Sequence, residues 1–322
     1  MQEPLREPGR GEIRVRTIAS GVSFADIFMR EGFHPETLLR SFPFTPGWDI
    51  VGRVDALGAG AEGLAPGDIV AAMPIVGGYS EFVFVAPEEL VPVPAEVDPI
   101  EAVCLPLNYV TAYQMLHRAA SIQAGEKVLI HSAAGGVGTA LAQLGRLAGL
   151  EMYGTASLAK HPTISALGVT PIDYRSLDFV SECLKREPDG LDAVFDGIGG
   201  MHLLRSLRVL RREGRLVAYG LGSTSVEGRP NLLRLAMTSL GWLRAFACNA
   251  IPSYKRLRLY SIQMKKRRSP ELFRADLSHL LGLLAGREIA PFVEVRLPLA
   301  EASRAHELLA SGTTSGKIVL TA

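Results

Sequence analysis

Along Glu12–Ala19 (EIRVRTIA) apolar and polar side chains alternate, so every second residue falls on one face. That period of two predicts a half-buried strand. Ile50–Leu57 (IVGRVDAL) and Ser80–Val85 predict two more, and the pairs Pro46-Gly47, Pro66-Gly67 and Gly77-Gly78 mark tight turns between them. Short strands punctuated in this way predict a compact, antiparallel, barrel-like domain.

From about Ile100 the pattern changes to strands alternating with helices. Strands are expected at Lys127–His131, Glu151–Thr155, Ala193–Asp196 and Gly214–Gly220, and helices at Gly138–Ala148, Phe179–Lys185 and His202–Leu210. Such alternation predicts an α/β domain, a parallel sheet covered by helices on both faces. Pro270–Leu284 then reads as a helix and Gly316–Thr321 as a closing strand. The α/β part, residues 105–265, is therefore expected to be inserted in a β-rich part formed by 1–104 and 266–322.

Composition narrows the picture. A chain of 322 residues, 48% apolar and 21% charged, is that of a globular protein long enough for two cores. Its 34 Lys and Arg nearly balance 33 Asp and Glu, so no global field favours nucleic acid or an anionic membrane. Cys104, Cys183 and Cys248 lie far apart with no CxxC pair, which points away from a disulfide framework and towards a reducing compartment. Met1–Gly11 lacks an apolar stretch, and Ala71–Val76 is far too short to span a bilayer. A soluble, cytoplasmic protein without stable membrane insertion is expected. Lys265–Arg268 is the one marked charge run, and it reads as a solvated loop before a helix.

The sharpest motif is Val128–Gly138 (VLIHSAAGGVG), followed by Thr139–Leu144 (TALAQL): an apolar strand, a Gly-rich turn and an apolar-periodic helix. This context suits a dinucleotide. Ala134, Gly135, Gly136 and Val137 would bring backbone N–H groups to a pyrophosphate at the helix N-terminus, and Gly138 would let helix and strand pack closely. Ala133 replaces the usual first glycine, and the competing reading is a tight strand-to-helix turn serving another ligand. A fold that prefers NAD carries an acid about 20 residues on. Here stand Ser157 and Lys160 instead, with Tyr174 after the next short strand, so NADPH is the expected cofactor. Gly220, ending its strand, is counted with the cofactor-binding residues.

Ser20–Asp26 (SGVSFAD), Pro46–Gly52 (PGWDIVG), Gly67-Asp68, Ala133–Gly138, Gly154–Ser157 (GTAS), Asp196–Gly200 (DGIGG) and Gly316–Leu320 (GKIVL) occur in this order over nearly the whole chain. Together they resemble the medium-chain dehydrogenase/reductase superfamily, most closely its zinc-free quinone oxidoreductase-like branch. The resemblance implies a GroES-like β-rich catalytic domain joined to a Rossmann doubly wound cofactor domain. Ser23, Trp48 and Leu107 occupy the positions that hold zinc in the metal-dependent branch, and none is a credible ligand, so no metal is expected. The seven histidines show no pair at ligand spacing in the sequence.

Without a strong Lewis acid, the expected chemistry is hydride delivery to an acceptor that is already electrophilic: a quinone, an enone or a 2-enoyl thioester. By the resemblance, Ser23 faces the nicotinamide and Thr111 contacts its carboxamide end; Thr111 also reads as a helix cap. Asp26 is expected to bond backbone in a loop. Phe28 and His34 stand where related enzymes carry tyrosines. Val128–Gly138 also resembles the enoyl-reductase domains of polyketide synthases. A third reading is a non-catalytic protein that keeps the NADPH fold and works at a lipid or membrane surface. Arg256–Ile262 (RLRLYSI) alternates like an edge strand, and a homodimer through that edge is expected.

Overall fold

The computed structural model describes residues 4–32, 34, 36, 37, 43–220, 225, 226, 229, 230, 232–251 and 254–322; within 225–239 only backbone is described. The strands are β1 (Ile13–Val22), β2 (Ile50–Leu57), β3 (Ile69–Ala72), β4 (Phe82–Val85), β5 (Val91–Pro92), β6 (Lys127–Ile130), β7 (Glu151–Ala156) and β8 (Val169–Asp173). There follow β9 (Leu191–Asp196), β10 (Leu210–Ala218), β11 (Ser225–Val226), β12 (Arg229–Pro230), β13 (Arg256–Leu259), β14 (Val293–Pro298) and β15 (Lys317–Thr321). The helices are α1 (Phe24–Arg30), α2 (Pro99–Ala102), α3 (Val110–Gln114), α4 (Gly136–Leu147), α5 (His161–Ala166) and α6 (Phe179–Arg186). The last five are α7 (His202–Arg208), α8 (Leu232–Ala247), α9 (Ile262–Arg268), α10 (Pro270–Ala285) and α11 (Ala302–Ala310).

Two compact units form, Met1–Val110 with Gln263–Ala322, and Thr111–Ile262. The first is built on a seven-stranded sheet, β14-β15-β1-β2-β3-β5, with β4 also paired to β1. All its pairs are antiparallel except β14 with β15. In β1 the inward residues Ile13, Val15, Thr17 and Ala19 are buried while Arg16 is exposed, as the period of two requires. Ile13 and Val15 join Ile50, Val54, Val70, Val83 and Val85 in one core cluster.

The second unit is a six-stranded parallel sheet, β13-β10-β9-β6-β7-β8. Its central strand β9 is buried at all six positions, because helices cover both faces of such a sheet. The order turns back between β6 and β9, the place where an open parallel sheet leaves a crevice beyond the C-terminal ends of its strands. The expected GroES-like and Rossmann architectures are both present.

Three elements correct the sequence reading. Lys265–Arg268 lies in α9 rather than in a loop. Its Lys266 is buried, donating to the Met73 carbonyl at 2.7 Å and pairing with Glu89, and Arg267 pairs with buried Glu36 at 2.7 Å. Thr111 lies inside a helix and caps nothing. The flanking Leu105–Tyr109 and Met115–Ala120 are π-helical, a widened turn often found near functional sites. Asp26 sits in the first turn of α1, not in a loop.

Candidate active site

In the second unit the Gly-rich turn delivers a bare helix N-terminus. Gly135 is the N-cap of α4, extended at φ −79° and ψ 174°, and no side chain caps the helix. The first N–H groups of such a helix have no intrahelical partner and carry the positive end of its dipole, so they suit an anionic ligand. Gly138 is required by close packing: a β-carbon there would overlap the Ser132 carbonyl oxygen and lie 2.6 Å from the Ala133 carbonyl carbon. Ser132 is itself left-handed at φ 55°. Ala134 is buried, whereas Gly136 and Val137 are partly open.

At the end of β7, Ser157 leads into a short 3-10 turn without using its hydroxyl as a cap, and Lys160 closes that turn, half-buried. The His161 Nε2 beside it is buried with no hydrogen-bond partner. Tyr174 is 54% exposed beyond β8, with the Arg175 guanidinium 5.9 Å from its ring centroid. The sequence reading overlooked Asp173, which β7–β8 pairing sets opposite Ala156. Its carboxylate accepts from the Ser176 hydroxyl at 2.8 Å and the Arg175 N–H at 3.1 Å, and these bonds hold its pKa below the usual range. The acid is thus occupied in its own turn. Gly220 is pressed onto the backbone of Gly197, where any β-carbon would overlap the Gly197 carbonyl.

Beneath the turn lies a network that sequence spacing could not reveal. His131, Asp196, His202 and Ser206 converge from β6, β9 and α7, and the ligand atoms of the first three lie within 4.8 Å of one another. Asp196 accepts from Ser206 Oγ at 2.7 Å, His202 Nδ1 at 2.8 Å and the N–H groups of Ile198 and Gly199 at 2.8 and 3.0 Å. Burial opposes its ionisation, but the His202 bond and its neighbours prevail and hold its pKa well down. Because Ser206 gives its proton to Asp196, the His131 Nε2 at 3.1 Å must donate to Ser206. His131 Nδ1 then accepts from Thr155 Oγ1 at 3.0 Å. Desolvation pushes the His131 pKa down to about 3, so the ring is neutral. Every ligand atom that faces this cluster is already spent on hydrogen bonds, which makes it a clamp across three strands rather than a vacant metal site.

In the first unit Ser23 caps α1 reciprocally with Asp26. Ser23 Oγ donates to Asp26 Oδ2 at 2.7 Å, Ser23 N donates to the same oxygen at 2.9 Å, and Asp26 N returns to Ser23 Oγ at 3.4 Å. Asp26 Oδ1 takes the Gly47 N–H at 2.9 Å. Asp26 is fully buried, and desolvation raises its pKa to about 6, assisted by Asp49 and opposed by the Ser23 bond, Gly47 and Lys317. A carboxyl raised above its unfolded value favours the fold most at low pH, and that contribution is lost as pH rises through about 6. Trp48 is buried edge-on to His34, with its indole N–H unpartnered, and Leu107 is buried in a helix. The Thr111 hydroxyl in the second unit is also buried without a partner.

Residues 9–95 match the family described as the alcohol dehydrogenase GroES-like domain, and residues 167–320 the family described as zinc-binding dehydrogenase. The chain is 37% identical to the human (Homo sapiens) synaptic vesicle membrane protein VAT-1 homolog over 76% of its own length and 61% of that protein. Against the rat (Rattus norvegicus) VAT-1 homolog it is 32% identical over 97% of its length and 77% of the other. The chain thus spans only about three fifths of the human relative. Among solved structures, an Escherichia coli quinone oxidoreductase complexed with NADPH is 26% identical with a TM-score of 0.86, covering 100% of this chain and 95% of that one. The CurK enoyl reductase is likewise 26% identical with a TM-score of 0.84, covering 100% and 94%. The chain belongs to the medium-chain dehydrogenase/reductase superfamily. Within it, its relatives and structural neighbours include a quinone oxidoreductase, enoyl reductases and VAT-1 homologs, and a nicotinamide nucleotide is the cofactor this company indicates.

Proposed function

We propose that this protein is a zinc-independent, NADPH-dependent oxidoreductase that reduces a quinone or another conjugated carbonyl. The observation that carries this reading is the uncapped N-terminus of α4 behind a turn that only glycine at 138 can close. The residues present fit the nucleotide: N–H groups of Gly136–Gly138, the first turn of α4, for the pyrophosphate, and Ser157, Lys160 and Tyr174 for a 2′-phosphate. Among the described residues, the buried Thr111 hydroxyl is a polar atom still lacking a partner, as a contact for the carboxamide would be. When bound, NADPH supplies the hydride; the protein orients it and keeps water away. Zinc independence rests on the residues at the ligand positions: Trp48 and Leu107 offer no donor lone pair, and the Ser23 hydroxyl is engaged with Asp26.

The enoyl-reductase reading is supported by the likeness to CurK, and the non-catalytic membrane reading by the VAT-1 homologs. Among the described residues no helix is long and apolar enough to cross a membrane. Stopped-flow NADPH oxidation against 1,4-benzoquinone, 9,10-phenanthrenequinone and crotonyl-CoA separates the three. Turnover with quinones is the expected result; turnover with crotonyl-CoA alone would transfer the protein to the enoyl reductases. Tight NADPH binding with no turnover, together with flotation on liposomes, would favour the membrane protein. Lys160→Ala is expected to raise the KM for NADPH roughly 10-fold while leaving that for NADH nearly unchanged, since the lost charge would face a 2′-phosphate that NADH lacks.

One edge of the parallel sheet is β13, whose last residue Leu259 is 53% exposed, and Leu243 is 69% exposed on α8. We expect a homodimer to cover this edge. Sedimentation velocity should show a dimer that Leu259→Asp converts to monomer; an unaltered dimer would place the interface elsewhere.

A further inference from the structure

We propose that Ser23 protonates the reduced acceptor and that Asp26 is the proton reservoir behind it, an inference that rests on the oxidoreductase reading above. Reduction of a quinone or enone by hydride leaves an oxyanion that must take up a proton. Ser23 is half-buried at the start of α1, next to Phe24, which is 50% exposed and forms with Phe28 a ring pair 6.3 Å apart. A half-exposed phenyl ring beside a hydroxyl is a suitable surface for a flat, apolar acceptor with one oxygen to be protonated.

The hydrogen bonds around Asp26 leave one outlet. On its far side, Arg30 can only donate, so its contact with His306 Nδ1 at 3.2 Å forces the His306 proton onto Nε2. That proton faces the Tyr79 oxygen at 3.2 Å, which leaves the Tyr79 hydrogen for Asp26. Burial, with Arg30 nearby, lowers the His306 pKa to about 4, in keeping with a neutral ring. The Gly47 N–H also points at the carboxyl. These groups all direct hydrogens towards Asp26 and can take none away. Asp49 and Lys317 act on it as opposed charges through space. Among the described residues around the carboxyl, only the Ser23 hydroxyl, 2.7 Å from Oδ2, can turn its bond around.

With Asp26 ionised, Ser23 donates to it. With Asp26 protonated, the same bond reverses and the Ser23 hydrogen is free to point outward. The burial that holds the carboxyl's proton to about pH 6 makes the second state accessible near neutrality. Bound NADPH would supply the hydride and its two electrons, becoming NADP+, and the quinone so reduced would be a hydroquinone monoanion. The Ser23 O–H bond breaks as the new O–H bond forms on that oxyanion, and Ser23 Oγ takes the proton from Asp26 Oδ2. After the hydroquinone leaves, water returns a proton to Asp26 through Ser23. Acceptor, NADPH and one proton are consumed; hydroquinone and NADP+ are made.

The test pairs kinetics with a readout on the unliganded protein. Wild-type kcat with 1,4-benzoquinone should fall as pH rises above about 6 and show a solvent deuterium isotope effect. Ser23→Ala should lower kcat at least 10-fold, with the KM for NADPH unchanged, and flatten both dependences; Ser23→Thr, which keeps the hydroxyl and the cap, should restore them. Difference infrared spectroscopy of the protein alone should show a protonated carboxyl band titrating near pH 6 that Asp26→Asn removes. Should Asp26→Asn fail to fold, the serine pair still decides. Quinone turnover by Ser23→Ala at the wild-type rate and pH profile overturns the relay and leaves the oxidoreductase reading standing. A wild-type protein inert to every acceptor overturns both.

Discussion

Gly138→Val is expected to weaken NADPH binding at least 100-fold. A β-carbon at 138 would run into the backbone of Ser132 and Ala133, and backbone cannot swing aside as the end of a flexible side chain does. The turn or the first turn of α4 must shift, and either movement misaligns the N–H groups that face the pyrophosphate. Gly135→Ala is the informative companion. Its β-carbon would come no closer than 3.4 Å to Ser132 O, and its dihedrals suit any residue, so the fold should tolerate it. Isothermal titration with NADPH, beside thermal melts of both variants, checks the claim. A folded Gly138→Val protein that binds NADPH as the wild type does would show that this turn is not the phosphate site.

Period and punctuation in the sequence were enough to find β1, β2 and β4, because each carries alternation over at least four residues. β3 (IVAA) and β5 (VP) escaped, being too short or too uniformly apolar for a period to show. α8 escaped for a different reason: in its described half Leu240, Leu243 and Phe246 are exposed, apolar residues where polar ones would have marked an outer face. The strand expected at Gly214–Gly220 begins instead at Leu210, since Arg211–Glu213 form an exposed, polar interruption that reads as a loop.

The site was legible where chemistry follows chain order. Ser23 and Asp26 stand three apart as a capping pair, and Gly135–Gly138 follow a strand and open a helix. It was illegible where topology does the assembling. His131, Asp196 and Ser206 are 65 and 10 residues apart, and they meet because β6 and β9 are neighbours in the sheet and α7 turns back over their ends. Asp173 was missed likewise: an acid expected about 20 residues after the glycines was sought on β7, whereas parallel pairing brings one in from the end of β8. Tyr79 and His306, 227 residues apart, reach Asp26 through the same kind of convergence.

Lys317→Met should cost the fold about 3–5 kcal/mol near neutral pH, the usual price of leaving one member of a buried ion pair alone. Lys317 Nζ donates to Asp49 Oδ2 at 2.9 Å, with the two side chains 3% and 0% exposed. The pair passes over β1 at Gly21, where any β-carbon would overlap both side chains. It therefore ties the last strand to the residue before β2, across the strand between them. Asp49 Oδ1 has no hydrogen-bond partner, and burial raises the Asp49 pKa in spite of the ammonium beside it. Removing the ammonium raises it further. A carboxyl so raised loses stability as pH climbs above its unfolded value, so the variant should be markedly less stable at pH 8 than at pH 5, where Asp49 can take up a proton. Asp49→Asn added to Lys317→Met removes the stranded charge and should recover much of the loss. Urea denaturation at the two pH values measures all three proteins. A Lys317→Met chain within about 1 kcal/mol of wild type at pH 8 would mean that water reaches Asp49, and the bond across Gly21 would then be dispensable to the sheet.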